Sequence, residues 1–105
     1  METINDLVAK MAHYDIPDYM RQSLAGYILN GHQVGGFLAA LLSNDLKKTF
    51  NDADDQNALV VGGYMKFLYN QAPAACWGSE KNFVGWREVG GLTGYLSAIQ
   101  NRSRS

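Results

Sequence analysis

The sequence predicts an all-α protein, a compact single-domain bundle of about five or six short helices. Three observations lead to this prediction. Apolar residues recur at intervals of three and four through most of the chain, which is the period of a helix with one buried side. Strict alternation of apolar and polar residues, the pattern of a half-buried strand, is absent. The segments between the periodic stretches are short and rich in capping and turn residues, as in helical bundles.

Length and composition indicate one globular domain. The chain has 105 residues, and its 47 % hydrophobic and 18 % charged residues are typical of a folded protein rather than a disordered one. No repeat, low-complexity tract or linker divides it. We therefore assign residues 1–100 to a single helical domain and residues 101–105 to a frayed polar tail.

The first helix is predicted over about residues 4–13. Thr3 and Asp6 have the spacing of a capping box, with aspartate in the place of the usual glutamate. Four apolar residues recur on one side of this helix and predict its buried face: Ile4, Leu7, Val8 and Met11.

The second helix is predicted over about residues 17–30. Pro17 suits a first helical turn because its missing N–H would have no partner there, and Gly31 suits a left-handed helix end. The predicted buried stripe consists of Met20, Leu24, Tyr27 and Ile28.

The third helix is predicted over about residues 36–50, because its apolar spacing stays in phase throughout. The stripe consists of Phe37, Leu38, Leu41, Leu42, Leu46 and Phe50. A break at Ser43, which could cap a second short helix, is the alternative.

The chain is predicted to be organised around Asp54–Ser79, which contains a helix over about residues 54–71. Its apolar stripe consists of Leu59, Val60, Gly63, Tyr64, Phe67 and Leu68. Pro73 stops this helix. Gly63 lies on the stripe, where a missing side chain would let another helix pack closely. Gly62 lies off the stripe, so close packing does not explain it. Because glycine is unfavourable inside a helix, a kink at this pair is the alternative to one continuous helix.

Two short helices are predicted in the last quarter of the chain. Ser79 is a favourable N-cap for a helix over about residues 80–89 that carries Phe83, Val84 and Trp86. A glycine pair ends this helix, and a final stripe follows, consisting of Leu92, Tyr95, Leu96 and Ile99.

Composition also bounds the function. The formal net charge of −1 lacks the basic excess that nucleic-acid binders usually show. A single cysteine favours a reducing compartment, and the sequence METINDLVAK does not resemble a secretory signal. No apolar run approaches the ~20 residues of a membrane span. We expect a cytoplasmic protein.

No catalytic, cofactor or metal constellation is recognisable. Cys76 has no partner base near it in sequence, and His13 and His32 are distant, so a buried structural thiol is favoured over a nucleophile. This cysteine and these two histidines are too few and too far apart in sequence to form a zinc-binding motif. The residues from Asp52 faintly resemble a calcium loop, but its twelfth position is Gly63, which has no carboxylate.

Five residues are candidates for binding a partner. Asp52, Asp54 and Asp55 form either an ordinary acidic helix start or a patch that meets basic residues of a partner. Tyr69 lies off the main apolar stripe, and Trp77 lies in a loop. Both could anchor a partner, although we favour Trp77 as a plug between the organising helix and the C-terminal helices.

Three runs of the chain, spanning about residues 15–87, carry a resemblance. They are DIPDYMRQSLAGYI, GFLAALLSNDLKKTF with ADDQN just after it, and FLYNQAPAACWGS followed by Trp86. They resemble a family of small proteins encoded by bacteriophages and prophages, most specifically in the pattern FLYN-x-AP-xx-CWGS. His32, Gln33 and Val34 depart from the proline-containing turn that members usually have before the third helix.

The resemblance implies a phage origin and supplies no reaction or catalytic residue. By analogy with small phage proteins that block host machines, we predict a non-enzymatic inhibitor of a host defence complex, such as a CRISPR–Cas effector. Two alternatives remain: a small-molecule or nucleotide binder that acts as a sponge for a defence signal, and a nucleic-acid-binding phage accessory protein that uses Arg21, Lys47, Lys48 and the basic tail. The charge balance disfavours direct nucleic-acid contact.

Overall fold

The helix buried on most of its sides is Asp18–Asn30, which we call α2. The computed structural model describes the backbone of residues 3–104 and the side chains of residues 3–100. All six residues from 24 to 29 in α2 are buried, so this half of the helix is covered around its circumference. This part of α2 lies inside the core, which the prediction of a chain organised around residues 54–79 did not anticipate, although that segment supplies Tyr64, Phe67, Leu68 and Cys76 to the same core.

The described residues form eight α-helices, two 3₁₀ turns and no strand. The helices are α1 Ile4–Met11, α2, α3 Gly36–Leu42, α4 Leu46–Asp52, α5 Asp55–Leu59, α6 Val61–Gln71, α7 Glu80–Val89 and α8 Gly91–Arg104. The 3₁₀ turns are Ala12–Tyr14 and Ala74–Cys76. The all-α prediction is confirmed. The predicted count of five or six helices is wrong, because two of the predicted helices are each divided in two.

The predicted helix over residues 36–50 breaks between α3 and α4. Asn44 adopts a left-handed conformation with φ of 62°, which asparagine tolerates better than most residues. The side chain of Asp45 then caps α4 by accepting a hydrogen bond from the backbone nitrogen of Lys48, at 3.1 Å. The chain turns at this point, so Leu46 and Phe50 are 68 % and 49 % exposed and do not continue the buried stripe.

The predicted helix over residues 54–71 breaks at Val60, whose backbone angles of −118° and 19° interrupt the helical ladder. The break lies just before Gly62 and Gly63, which are both inside α6. Leu59, predicted to be buried, is 86 % exposed because α5 and α6 no longer share one axis. Gly63 fulfils its predicted packing role, since a Cβ there would overlap the carbonyl oxygen of Tyr14.

The predicted helix caps are confirmed where the capping residue and its partner are close in sequence. Thr3 and Asp6 form the reciprocal capping box, and the Ser79 hydroxyl caps α7 by accepting from the backbone nitrogen of Asn82. Gly31 and Gly90 end α2 and α7 in left-handed conformations. These boundaries lie within two residues of the predicted ones.

One cluster of buried side chains joins most of the helices. Its members from α1 to α3 are Leu7, Met11, Ile16, Leu24, Ala25, Tyr27, Ile28, Leu29, Phe37, Leu38, Leu41 and Leu42. Tyr64, Phe67, Leu68, Cys76, Phe83 and Trp86 complete it.

The C-terminal helices are fixed to α2 by a hydrogen bond of 2.9 Å from Trp86 Nε1 to the carbonyl oxygen of Ile28. A Cβ at Gly91 would overlap the backbone of Gly31, so α8 starts in direct contact with the end of α2.

The predicted polar tail begins within the last turns of α8, which extends to Arg104. The side chains of residues 101–105 lie outside the described residues, so the prediction that this tail frays stays a prediction. Across residues 3–104, the helices do not combine the length and the apolar character that a membrane crossing requires.

Candidate functional site

Trp77 lies in the short loop between α6 and α7, and backbone hydrogen bonds fix the peptide groups on both sides of it. The carbonyl oxygen of Cys76 accepts a hydrogen bond from the Tyr27 hydroxyl at 2.6 Å. The backbone nitrogen of Gly78 donates to the carbonyl oxygen of Leu42 at 2.8 Å. The loop is thereby tied to the central helix α2 and to the end of α3.

The first turn of α7 adds a third tie. The Asn82 side chain donates from Nδ2 to the carbonyl oxygen of Trp77 at 2.9 Å, while its backbone nitrogen donates to the Ser79 hydroxyl at 3.1 Å. Gly78 has a φ of 101°, a conformation that side-chain-bearing residues rarely adopt. The backbone of the Cys-Trp-Gly-Ser loop is thus fixed on both sides of Trp77.

Tyr69 and Trp77 both line a cleft and pack edge to face against each other. Their ring centroids are 4.9 Å apart and their planes are nearly perpendicular, at 89°. Tyr69 is 76 % exposed although it contacts Trp77, which is itself half-buried. The cleft has a volume of about 320 Å³, and its apolar floor consists of Met65, Leu68, Ala72 and Ala74. The two aromatic residues singled out by the sequence are therefore brought together.

Three polar groups at this cleft have no hydrogen-bond partner in the described part of the chain. They are the indole N–H of Trp77, the hydroxyl of Tyr69 and the side-chain amide of Asn44. Tyr69 and Asn44 are exposed residues, and the indole N–H of the half-buried Trp77 is not a fully buried polar atom without a partner, so it is also open to solvent or to a ligand. The lining residues that the structure describes carry no charge.

The cleft continues along α6 toward the start of α4. A second, smaller cavity of about 90 Å³ shares Asn44 and Met65 with the first and reaches Val61 and the exposed side chain of Leu46. We call the two cavities together the α6 groove. Asn44 and Leu46 were not predicted as site residues, since they join the groove only because the chain breaks between α3 and α4.

The carboxylate of Asp52 is already hydrogen-bonded within the protein. Its carboxylate accepts a hydrogen bond from Lys48 Nζ at 2.5 Å and another from the Asn51 side chain at 3.1 Å. The hydrogen bond from Lys48 is the main cause that holds the pKa of Asp52 below its ordinary value, and the same contact raises the pKa of Lys48. A lysine therefore offsets part of the predicted acidic patch.

Asp54 is engaged as well. Its side chain accepts a hydrogen bond from the Tyr19 hydroxyl at 2.6 Å and caps α5 through the backbone nitrogen of Asn57 at 2.7 Å. The bond from Tyr19 is the first cause of the lowered pKa of Asp54. Asp55 is exposed, and of the three aspartates only its carboxylate has no contact within the described residues.

Cys76 is fully buried, and burial raises the pKa of its thiol to about 12. The thiol is therefore protonated at neutral pH and closed to solvent, which is the reverse of what a nucleophile needs. His13 and His32 are both exposed on the surface. Among residues 3–100, no three His, Cys, Asp or Glu side chains lie together as metal ligands would.

Comparison of the chain with protein-family models, with curated proteins and with solved structures finds no match.

Proposed function

We propose that this protein is a non-enzymatic binding protein that acts through protein–protein contact at the α6 groove. The observation that carries the proposal is the pairing of Tyr69 with Trp77. One ring is held rigid by the loop around it, and the other is 76 % exposed beside it. Exposed aromatic side chains in a preformed cleft are typical of the residues that contribute most to interface affinity.

Rigidity supports this proposal as much as exposure does. Binding costs free energy whenever loops and side chains must be ordered on association, and a preformed site avoids much of that cost. The loop around Trp77 is ordered by Tyr27, Leu42 and Asn82, none of which lies in the cleft itself. The free protein therefore already presents the surface that a partner would contact.

The narrower form of the proposal concerns the partner. The resemblance to small phage-encoded proteins favours a host defence complex, such as a CRISPR–Cas effector, which this protein would inhibit by occupying a surface of the complex. Of the predicted residues, Tyr69 and Trp77 are the primary contacts in this proposal. Of the three predicted aspartates, only Asp55 has a carboxylate that is available without breaking a hydrogen bond to another described residue.

A photo-reactive amino acid at position 69 tests the proposal. We expect it to cross-link to a defined subunit of a defence complex in bacterial cells that carry one, and the purified subunit to bind the protein directly. Leu59 provides the matched control, because it is 86 % exposed and does not line the groove. Cross-linking from position 59 alone, or equal cross-linking from both positions, would contradict the proposal.

The inhibitory step needs its own measurement. We expect the protein to reduce target cleavage by the effector in a reconstituted reaction, and Tyr69→Ala to remove that inhibition while Leu59→Ala retains it. Binding without inhibition would keep the protein–protein proposal and exclude the inhibitor role.

A further inference from the structure

We propose that the α6 groove binds a proline-rich segment of its partner in the extended polyproline II conformation. This inference rests on the proposed function and adds the chemistry of the bound segment. It is carried by the combination of a perpendicular aromatic pair, a largely apolar lining, and lining residues whose hydrogen-bonding groups have no partner in the described part of the chain.

The unpartnered polar groups distinguish an extended segment from a helix. A polyproline II segment has no internal hydrogen bonds, so its carbonyl oxygens need donors. The indole N–H of Trp77 and the amide of Asn44 are such donors, and both are unoccupied within the described residues. A bound α-helix forms its backbone hydrogen bonds internally, so its carbonyl oxygens would not need these donors.

The surface chemistry of the groove also matches proline. Pyrrolidine rings pack against aromatic faces, and Pro-rich segments are recognised in aromatic-lined grooves for this reason. The main cleft is lined by uncharged side chains as far as the structure describes it, so it offers no counter-charge to an acidic or basic peptide. An uncharged, apolar and carbonyl-rich segment is the complementary occupant.

The length of the groove sets the size of that segment. Val61, Met65 and Tyr69 follow one another at intervals of four along α6, so the groove runs for about 12 Å at 1.5 Å per residue. At ~3.1 Å per residue in polyproline II, this length accommodates about four residues. Such a short contact also suits the volume of about 320 Å³ of the main cleft.

The two tryptophans permit a direct test by NMR of the ¹⁵N-labelled protein. Titration with decaproline should shift the indole N–H signal of Trp77 in a saturable manner. The signal of Trp86 should not move, because its indole N–H is buried and bonded to Ile28. A Gly-Ser peptide of equal length controls for an uncharged chain without proline, and an amphipathic helical peptide tests the competing mode.

Variants localise the binding. We expect Tyr69→Ala to weaken decaproline binding by about tenfold or more, as for a residue that anchors an interface. Trp77→Phe, which keeps a ring and removes the donor, should weaken it several-fold, and Leu59→Ala should leave it unchanged. Circular dichroism of each variant checks that the helices are retained.

Three results would overturn the inference: no Trp77 shift at millimolar decaproline, an equal shift with the Gly-Ser peptide, or a shift with the helical peptide alone. The proposed function fails separately, when position 69 does not cross-link to a partner. Cross-linking at position 69 together with no response to decaproline would therefore reject the proline-rich segment and retain the protein–protein contact.

Discussion

The hydroxyl of Tyr27 donates a hydrogen bond of 2.6 Å to the carbonyl oxygen of Cys76, which lies 49 residues later in the chain. Both residues are fully buried, so the bond connects the central helix α2 to the loop that carries Trp77 inside the core. The Tyr27 ring also stacks on Phe83 of α7, with centroids 5.4 Å apart. One side chain thus links the centre of the fold to the candidate site.

Removal of this hydroxyl tests the link. In Tyr27→Phe, the Cys76 carbonyl oxygen loses its donor in a buried position, which should cost about 1–3 kcal/mol of unfolding free energy. Chemical denaturation measures this value. Tyr95→Phe is the control, because Tyr95 lies near the surface and its hydroxyl has no partner in the described region, and it should change stability by less than about 0.5 kcal/mol. Equal changes in unfolding free energy in the two variants would show that the Tyr27 hydroxyl does not stabilise the fold.

The adjacent glycines of α6 should respond in opposite directions to alanine. A Cβ at Gly63 would overlap the Tyr14 carbonyl oxygen, so Gly63→Ala should destabilise the protein by about 1–3 kcal/mol. A Cβ at Gly62 would meet no atom within 4 Å, and Gly62→Ala should stabilise the helix by about 0.5–1 kcal/mol. Thermal melting of the two variants compares them directly, and a loss of stability in Gly62→Ala would contradict the described packing of α6.

The sequence predicts those parts of the fold that depend on neighbouring residues. The capping box at Thr3, the N-cap at Ser79 and the left-handed end at Gly31 each require residues within one helical turn, and all are present. The breaks at Asn44 and Val60 have no equally strong local signal, because the apolar spacing continues through both. At these two positions, packing against other helices determines where the helix breaks. At Val60 the break leaves Leu59 exposed.

The two aromatic residues of the candidate site are predictable from the sequence, whereas its geometry and the contribution of Asn44 and Leu46 are not. Tyr69 and Trp77 can be singled out because one lies off the helical stripe and the other in a loop. Their contact depends on the hydrogen bonds that the loop makes to Tyr27 and Leu42, which are distant in sequence. Nothing in the local pattern indicates these partners.

The acidic patch can be tested residue by residue. Asp54→Ala should lower the denaturation midpoint, because it removes the N-cap of α5 and the acceptor of the Tyr19 hydroxyl. Asp55→Ala should lower the midpoint less, since its carboxylate makes no hydrogen bond or ion pair with a described residue and loses only its favourable place in the first turn of α5. Of the three aspartates, Asp55 is therefore the one at which a charge reversal, Asp55→Lys, probes partner binding without breaking a hydrogen bond inside the described protein. A loss of stability in the Asp55 variants equal to that in Asp54→Ala would contradict these assignments.

The buried thiol of Cys76 should make the protein less stable in alkali. Burial raises the pKa of this thiol to about 12, whereas an exposed thiol in the unfolded chain has a pKa of about 8.5. Between these values the unfolded chain binds fewer protons than the folded protein, so the unfolding free energy falls as pH rises. The slope attributable to Cys76 should approach about 1.4 kcal/mol per pH unit.

Urea denaturation at intervals from pH 8 to pH 10 measures this slope, and Cys76→Ala supplies the comparison. The variant should be less stable at pH 8 because it leaves a small cavity, yet its stability should fall less steeply with pH. The window ends at about pH 10 because Tyr27 and Tyr64, whose pKa values burial also raises, begin to ionise there in the unfolded chain. Parallel slopes for the two proteins would mean that the thiol is accessible to ionisation in the folded state, and that the loop beneath Trp77 is more open than the Tyr27 hydrogen bond implies.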